Sequence, residues 1–125
     1  MSPLPHSIEL HDSRVTAASI EENALVVHFR PAYVHKQGKG WRQDADLVIS
    51  AARIDALRFP FPLRVSDGTL KTARGPYHNL LMLPLRDPGP VVLELEFESG
   101  EVLHTSGEFA EVRLFGEATF VEDNA

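Results

Sequence analysis

His11, Asp12 and Ser13 follow one another and hold the three residue types of a hydrolytic relay. Adjacent residues of an extended chain point to opposite sides, so the three cannot pass a proton among themselves. Turn chemistry gives the simpler reading, in which Asp12 and Ser13 bond nearby backbone ahead of a first hairpin. No Gly-x-Ser-x-Gly occurs to supply a hydrolase nucleophile elsewhere. Six histidines, His6, His11, His28, His35, His78 and His104, form the next set able to do chemistry. Cysteine is absent and no His-x-His or His-Glu-x-x-His spacing groups them, so a metal site would need distant strands to converge. The expectation is no transition metal and no cofactor, with His11, His28 and His104 as the ligands to test if a metal were found.

Gly38-Lys39-Gly40 resembles a phosphate loop only superficially, because the P-loop spacing, its trailing Ser or Thr and a following helix are missing. Residues 32–43 read instead as a long loop in which Trp41 anchors on the core. A functional version of that loop would present Tyr33, Lys36, Lys39, Trp41 and Arg42, since aromatics and arginine dominate binding energy at interfaces.

Charge is divided unevenly. The formal net charge is -6, yet residues 1–90 hold 9 acids and 11 bases, whereas residues 91–125 hold 9 acids against Arg113 alone. A uniformly basic footprint is missing and the acidic end repels phosphate, so the sequence predicts no nucleic-acid binding. No run approaches the roughly 20 apolar residues that span a bilayer, which predicts no membrane partner. With no disulfide framework available, the expected compartment is the cytoplasm.

Stepping along the 125 residues, hydrophobic content of 43% is enough for one core and hence one domain. Residues 14–20 and 25–30 read as a hairpin turning at residues 21–24, with Leu25, Val27 and Phe29 on one face and Pro31 ending the second arm. Residues 44–54 give another strand, although residues 51–57 could form one helical turn. Phe59 and Phe61, set between prolines, belong to an extended crossover and either cap the sheet or expose a ridge that would make a homodimer. Asp67-Gly68 between apolar residues signals a hairpin turn. The run of residues 77–85 closes at Asp87-Pro88-Gly89-Pro90, which reads as the separator before an acidic meander.

In that meander Leu93, Leu95 and Phe97 alternate with Glu94, Glu96 and Glu98, and residues 102–106, 109–115 and 118–121 follow as short runs punctuated by Gly107 and Gly116. Ser99-Gly100 permits two registers. A plain two-residue turn buries His104 and Ser106; a glycine bulge buries Leu103 and Thr105, which is favoured because an imidazole without a partner is costly to bury. The whole predicts an all-β fold, a single-domain antiparallel sandwich or barrel of seven to nine short strands.

The stretches Leu10-His11-Asp12-Ser13-Arg14-Val15 and Leu114-Phe115-Gly116-Glu117-Ala118-Thr119-Phe120-Val121-Glu122 resemble the two ends of small bacterial all-β proteins of unknown function, some of them similar to immunity proteins of toxin systems. That resemblance implies a compact intracellular β domain and no established reaction.

Two functional expectations follow. The first is a non-enzymatic interaction module whose acidic face, Glu94, Glu96, Glu98, Glu101 and Glu111, meets a basic protein partner. The second is a small-molecule-binding barrel or hydrolase with its pocket under residues 32–43, which a pocket lined by several histidines and carboxylates would favour.

Overall fold

Alternation of apolar and polar residues carries the chain into strand after strand, and the turns fall where the backbone must take a left-handed step. The computed structural model describes residues 6–54 and 58–123. Within them run β1 (His6–Glu9), β2 (Arg14–Glu21), β3 (Ala24–Lys36), β4 (Lys39–Ser50), β5 (Leu63–Thr72), β6 (Gly75–His78), β7 (Leu80–Leu83), β8 (Arg86–Phe97) and β9 (Val102–Asp123), with no helix among the described residues. All the strands pair antiparallel in one sheet, in the order β2-β5-β8-β9-β4-β3-β1-β7, with β6 on β5. Because β2 also pairs with β3, the path from β3 through β4, β9, β8 and β5 returns to its start. The closure between β2 and β5 is short, Arg14 opposite Arg64 and Val15 opposite Leu63.

One cluster of buried side chains fills the inside of this ring, among them Leu25, Val27, Phe29, Leu47, Ile49, Val65, Leu70, Leu93, Leu95, Phe97 and Leu103. Each large side chain so buried contributes about 1.5–3 kcal/mol. Phe59 and Phe61 pack on the cluster with ring centroids 5.8 and 6.1 Å from Phe97, so they cap it rather than form a bare ridge. The register at the β8–β9 turn is the bulged one. Gly100 takes a φ of 92°, Leu95 faces Leu103, and Leu103 and Thr105 are buried while His104 points outward.

At Pro31, Asp67-Gly68 and residues 87–90 the local turn signals mislead, because a strand absorbs the irregular residues as a bulge. Pro31 does not stop its strand; β3 gains residues between Phe29 and Ala32 and continues to Lys36. Residues 32–43 are therefore no loop but the far end of the β3–β4 hairpin, which turns at Gln37-Gly38 with φ of 56° and 73°, the doubly left-handed turn that matches strand twist. Asp67-Gly68 is not a turn but the middle of β5, and a Cβ on Gly68 would stand 2.7 Å from Leu10 Cδ1, so the glycine serves packing. Residues 87–90 do not separate anything; they lie inside β8, bulged between Pro88 and Val91.

The three short runs after Val102 are a single 22-residue strand. At Gly107 a Cβ would lie 2.6 Å from the Ser50 carbonyl oxygen, so glycine is what lets β9 cross closely from β8 onto β4. Of the helical turn open to residues 51–57 as an alternative, residues 51–54 are not helical and residues 55–57 fall outside the described residues. The apolar run of residues 77–85 is split into β6 and β7 at Asn79, whose φ is 61°.

Candidate functional site

The five glutamates assigned to an acidic face do not all stand together. Glu94 and Glu96 project from the outer face of β8, Glu98 lies in the following turn, and all three are exposed. Glu101, half-buried, begins the return. Asp67 faces Glu96 across the β5–β8 ladder and Val102 faces it from β9, whereas Glu94 stands between Thr69 and His104. Glu111 is set apart farther along β9 and neutralised, with Arg86 Nε at 3.0 Å and Arg113 Nε at 2.8 Å.

The residues picked from 32–43 divide between two faces of one hairpin. Trp41 turns inward, packs on the core, stacks edge-on to Phe120 at 5.6 Å and donates its indole N–H to the Lys36 carbonyl. The Lys36 ammonium lies 4.9 Å over the Trp41 ring and that of Lys39 lies 5.8 Å over Phe120. Tyr33 and Arg42 lie opposite each other on the outer face, and the Tyr33 hydroxyl donates to the Glu122 carboxylate.

That outer face borders a cleft of about 450 Å³, lined by Asp12, Arg14, Pro31, Ala32, Tyr33, Arg42 and Arg64. The segment His11-Asp12-Ser13 builds its wall. Ser13, fully buried, donates its hydroxyl to the Glu9 carbonyl and accepts from the Tyr33 N–H at 3.0 Å, while its own carbonyl accepts from the Val65 N–H. These bonds tie β1, β3 and β5 together and set Asp12 at a φ of 75° on the rim, 3.3 Å from His11 Nδ1. Ser13 thus plays the backbone-bonding part expected of it. Arg14 and Arg64 were not singled out from sequence. They lie fifty positions apart, and only the closing of the ring between β2 and β5 sets them opposite each other.

Elsewhere several charged groups pair with one another. Asp46, on the outside of β4, has His28 Nδ1 at 2.8 Å and Arg30 Nη2 at 3.0 Å, and Arg30 donates further to the carbonyls of Phe29 and Ala45. Asp87, buried in β8, accepts from the hydroxyls of Thr72 at 2.8 Å and Tyr77 at 2.7 Å. That hydrogen bond to a carboxylate, with burial behind it, raises the Tyr77 phenol above its ordinary 10.0. Asp67 is held below its ordinary 3.8 by hydrogen bonds from the Asn79 amide first and His78 second. Among the described residues no three His, Asp or Glu side chains converge as a metal site would require; His11, His28 and His104 lie in the β1–β2 connection, β3 and β9. Nor is any helix there long and apolar enough to cross a membrane.

The fold places the chain among all-β proteins. Comparison goes no further: no family model, no curated protein and no solved structure matches the chain.

Proposed function

We propose that the protein is a non-catalytic interaction module that docks a basic protein surface on its β8–β9 hairpin, as an immunity-like protein would. The observation that carries the reading is the row Glu94, Glu96 and Glu98, exposed and, among the described residues, without a cationic partner. Outward glutamates of a one-sided strand are also what solubility requires. Here an exposed apolar residue accompanies them: Val102, 47% exposed, stands directly opposite Glu96. The ring interior is filled by side chains, and the cleft beside residues 32–43 is lined by three arginines and one carboxylate rather than by several histidines and carboxylates. Both features favour binding on the surface over a reaction inside a barrel.

Charge of this kind acts mainly on association rate and is weakened by salt. The test is a titration of isotopically labelled protein with a short oligolysine peptide at low salt. Amide shifts are expected to centre on residues 92–104, to fade with added salt and to vanish in the triple variant Glu94→Lys, Glu96→Lys, Glu98→Lys, whose fold should be intact. Shifts spread evenly over Glu21, Glu22, Glu117 and Asp123 as well would remove the proposal.

A further inference from the structure

We propose that the cleft walled by Arg14, Arg42 and Arg64 is a binding site for a small organic phosphate monoester, independent of the acidic hairpin. Three observations meet there. First, the strands juxtapose like charges: Arg14 is directly opposite Arg64 where β2 meets β5, an arrangement that is unfavourable unless an anion is supplied between them. Second, none of the three guanidinium groups has a hydrogen bond or ion pair to another side chain among the described residues, although most other arginines of the sheet do: Arg30 with Asp46, Arg74 with Asp87, and Arg86 and Arg113 with Glu111. Third, these unpaired cations line one cleft together with Asp12, Pro31, Ala32 and Tyr33.

The chemistry of the occupant follows from the lining. Three guanidinium groups and one carboxylate, Asp12, leave two positive charges to be matched, as a phosphate monoester dianion matches them. Planar guanidinium forks bond phosphate oxygens in pairs, a geometry that lysine does not offer. At about 450 Å³ the cleft falls in the ~300–1,000 Å³ range of small-molecule sites, larger than a bare phosphate group would need. Pro31 and Tyr33 would cover the organic part, and Asp12 would accept from a hydroxyl or amino group on it.

A nucleic-acid strand fits less well. Glu98 donates its N–H to the Arg64 carbonyl at 2.9 Å, so the acidic turn adjoins the cleft and would repel phosphates continuing past it.

Calorimetric titration of the full chain at about pH 7.5, where a monoester is doubly charged, tests this with phenyl phosphate, inorganic phosphate, diphenyl phosphate and a single-stranded oligonucleotide. Phenyl phosphate is expected to bind best and inorganic phosphate more weakly. Arg42→Gln and Arg64→Gln should each weaken phenyl phosphate about tenfold, the scale of a charge-assisted hydrogen-bonded contact. Because Arg64→Gln relieves a like-charge pair, it should melt no lower than the parent, and Arg42→Gln supplies the same binding readout on a strand outside the β2–β5 closure. The Glu94, Glu96, Glu98 lysine variant should bind phenyl phosphate at least as well as the parent, which separates this site from the hairpin. Equal binding of the diester and the monoester, tighter binding of the oligonucleotide, or affinity that ignores both arginine substitutions would each overturn the proposal.

Discussion

Asp67 and Asp87 accept the same number of side-chain hydrogen bonds in opposite surroundings. Asp67, on β5, takes the Asn79 amide at 2.8 Å and the His78 ring at 2.9 Å, with its side chain 48% exposed. Asp87, on β8, takes the hydroxyls of Thr72 and Tyr77 and is 3% exposed. Around Asp67 water can replace a lost partner; around Asp87 it cannot. Equal bond counts should therefore give unequal energies, since the penalty for a buried group left unpaired far exceeds the net worth of an exposed bond. The unpaired arginines of the cleft make a third case, charges that are exposed and unpaired and so of little structural use.

The largest effect is expected at Asp87→Ala. It leaves the buried Thr72 hydroxyl and the half-buried Tyr77 hydroxyl without an acceptor and opens a void in β8, and the loss should be about 2–4 kcal/mol. Denaturant unfolding measures it directly. A loss under about 0.5 kcal/mol would put Asp87 in the class of exposed ion pairs and abolish the contrast.

Tyr77→Phe is the intermediate case. Asp87 keeps the Thr72 hydroxyl and a guanidinium of Arg74 at 3.8 Å, so the expected loss is about 1–2 kcal/mol. Tyr77 also has an alkaline signature. Its phenol is raised in the folded state, so the stability it brings is complete below the unfolded value of 10.0 and is lost as pH rises through the folded value. A tyrosinate absorbance step displaced above that value should be present in the parent and missing from the phenylalanine variant.

Both carboxylates lay in segments whose local signals pointed elsewhere. Asp67-Gly68 has the composition of a hairpin turn and Asp87-Pro88-Gly89-Pro90 that of a linker, yet each is strand, because bulges at Ser66 and between Pro88 and Val91 let the ladder resume beyond the irregular residues. Period-two alternation is written residue by residue, so the all-β class, the inward set Leu93, Leu95 and Phe97, and the burial of Leu103 over His104 were legible. Strand length was not, since continuing through Pro31, Gly107 or Gly116 depends on what the neighbouring strand offers. For the same reason the exposed glutamates were readable as a row, while the pairing of Glu111 with Arg86 needed the β8–β9 ladder to resume past its bulge, and that of Arg14 with Arg64 needed the ring to close.

The smallest effect is expected at Asp67→Asn. Asparagine keeps an acceptor for the Asn79 amide and removes only the charge, and because the side chain is about half in water, solvent screening limits the loss at neutral pH to a few tenths of a kcal/mol. Its pH dependence identifies it better than its size. The carboxyl is held below 3.8 in the folded state, by Asn79 first and then His78, so the folded chain binds this proton less readily than the unfolded chain. Its contribution is therefore present above that value and disappears as pH falls through the folded one. Parent and variant should differ slightly at about pH 6 and converge by about pH 2. A difference that stays constant over that range would mean that Asn79 holds the β5 bulge through its own bonds, its Oδ1 to the Gly68 N–H and its carbonyl to the Leu10 N–H, and that the Asp67 charge contributes nothing.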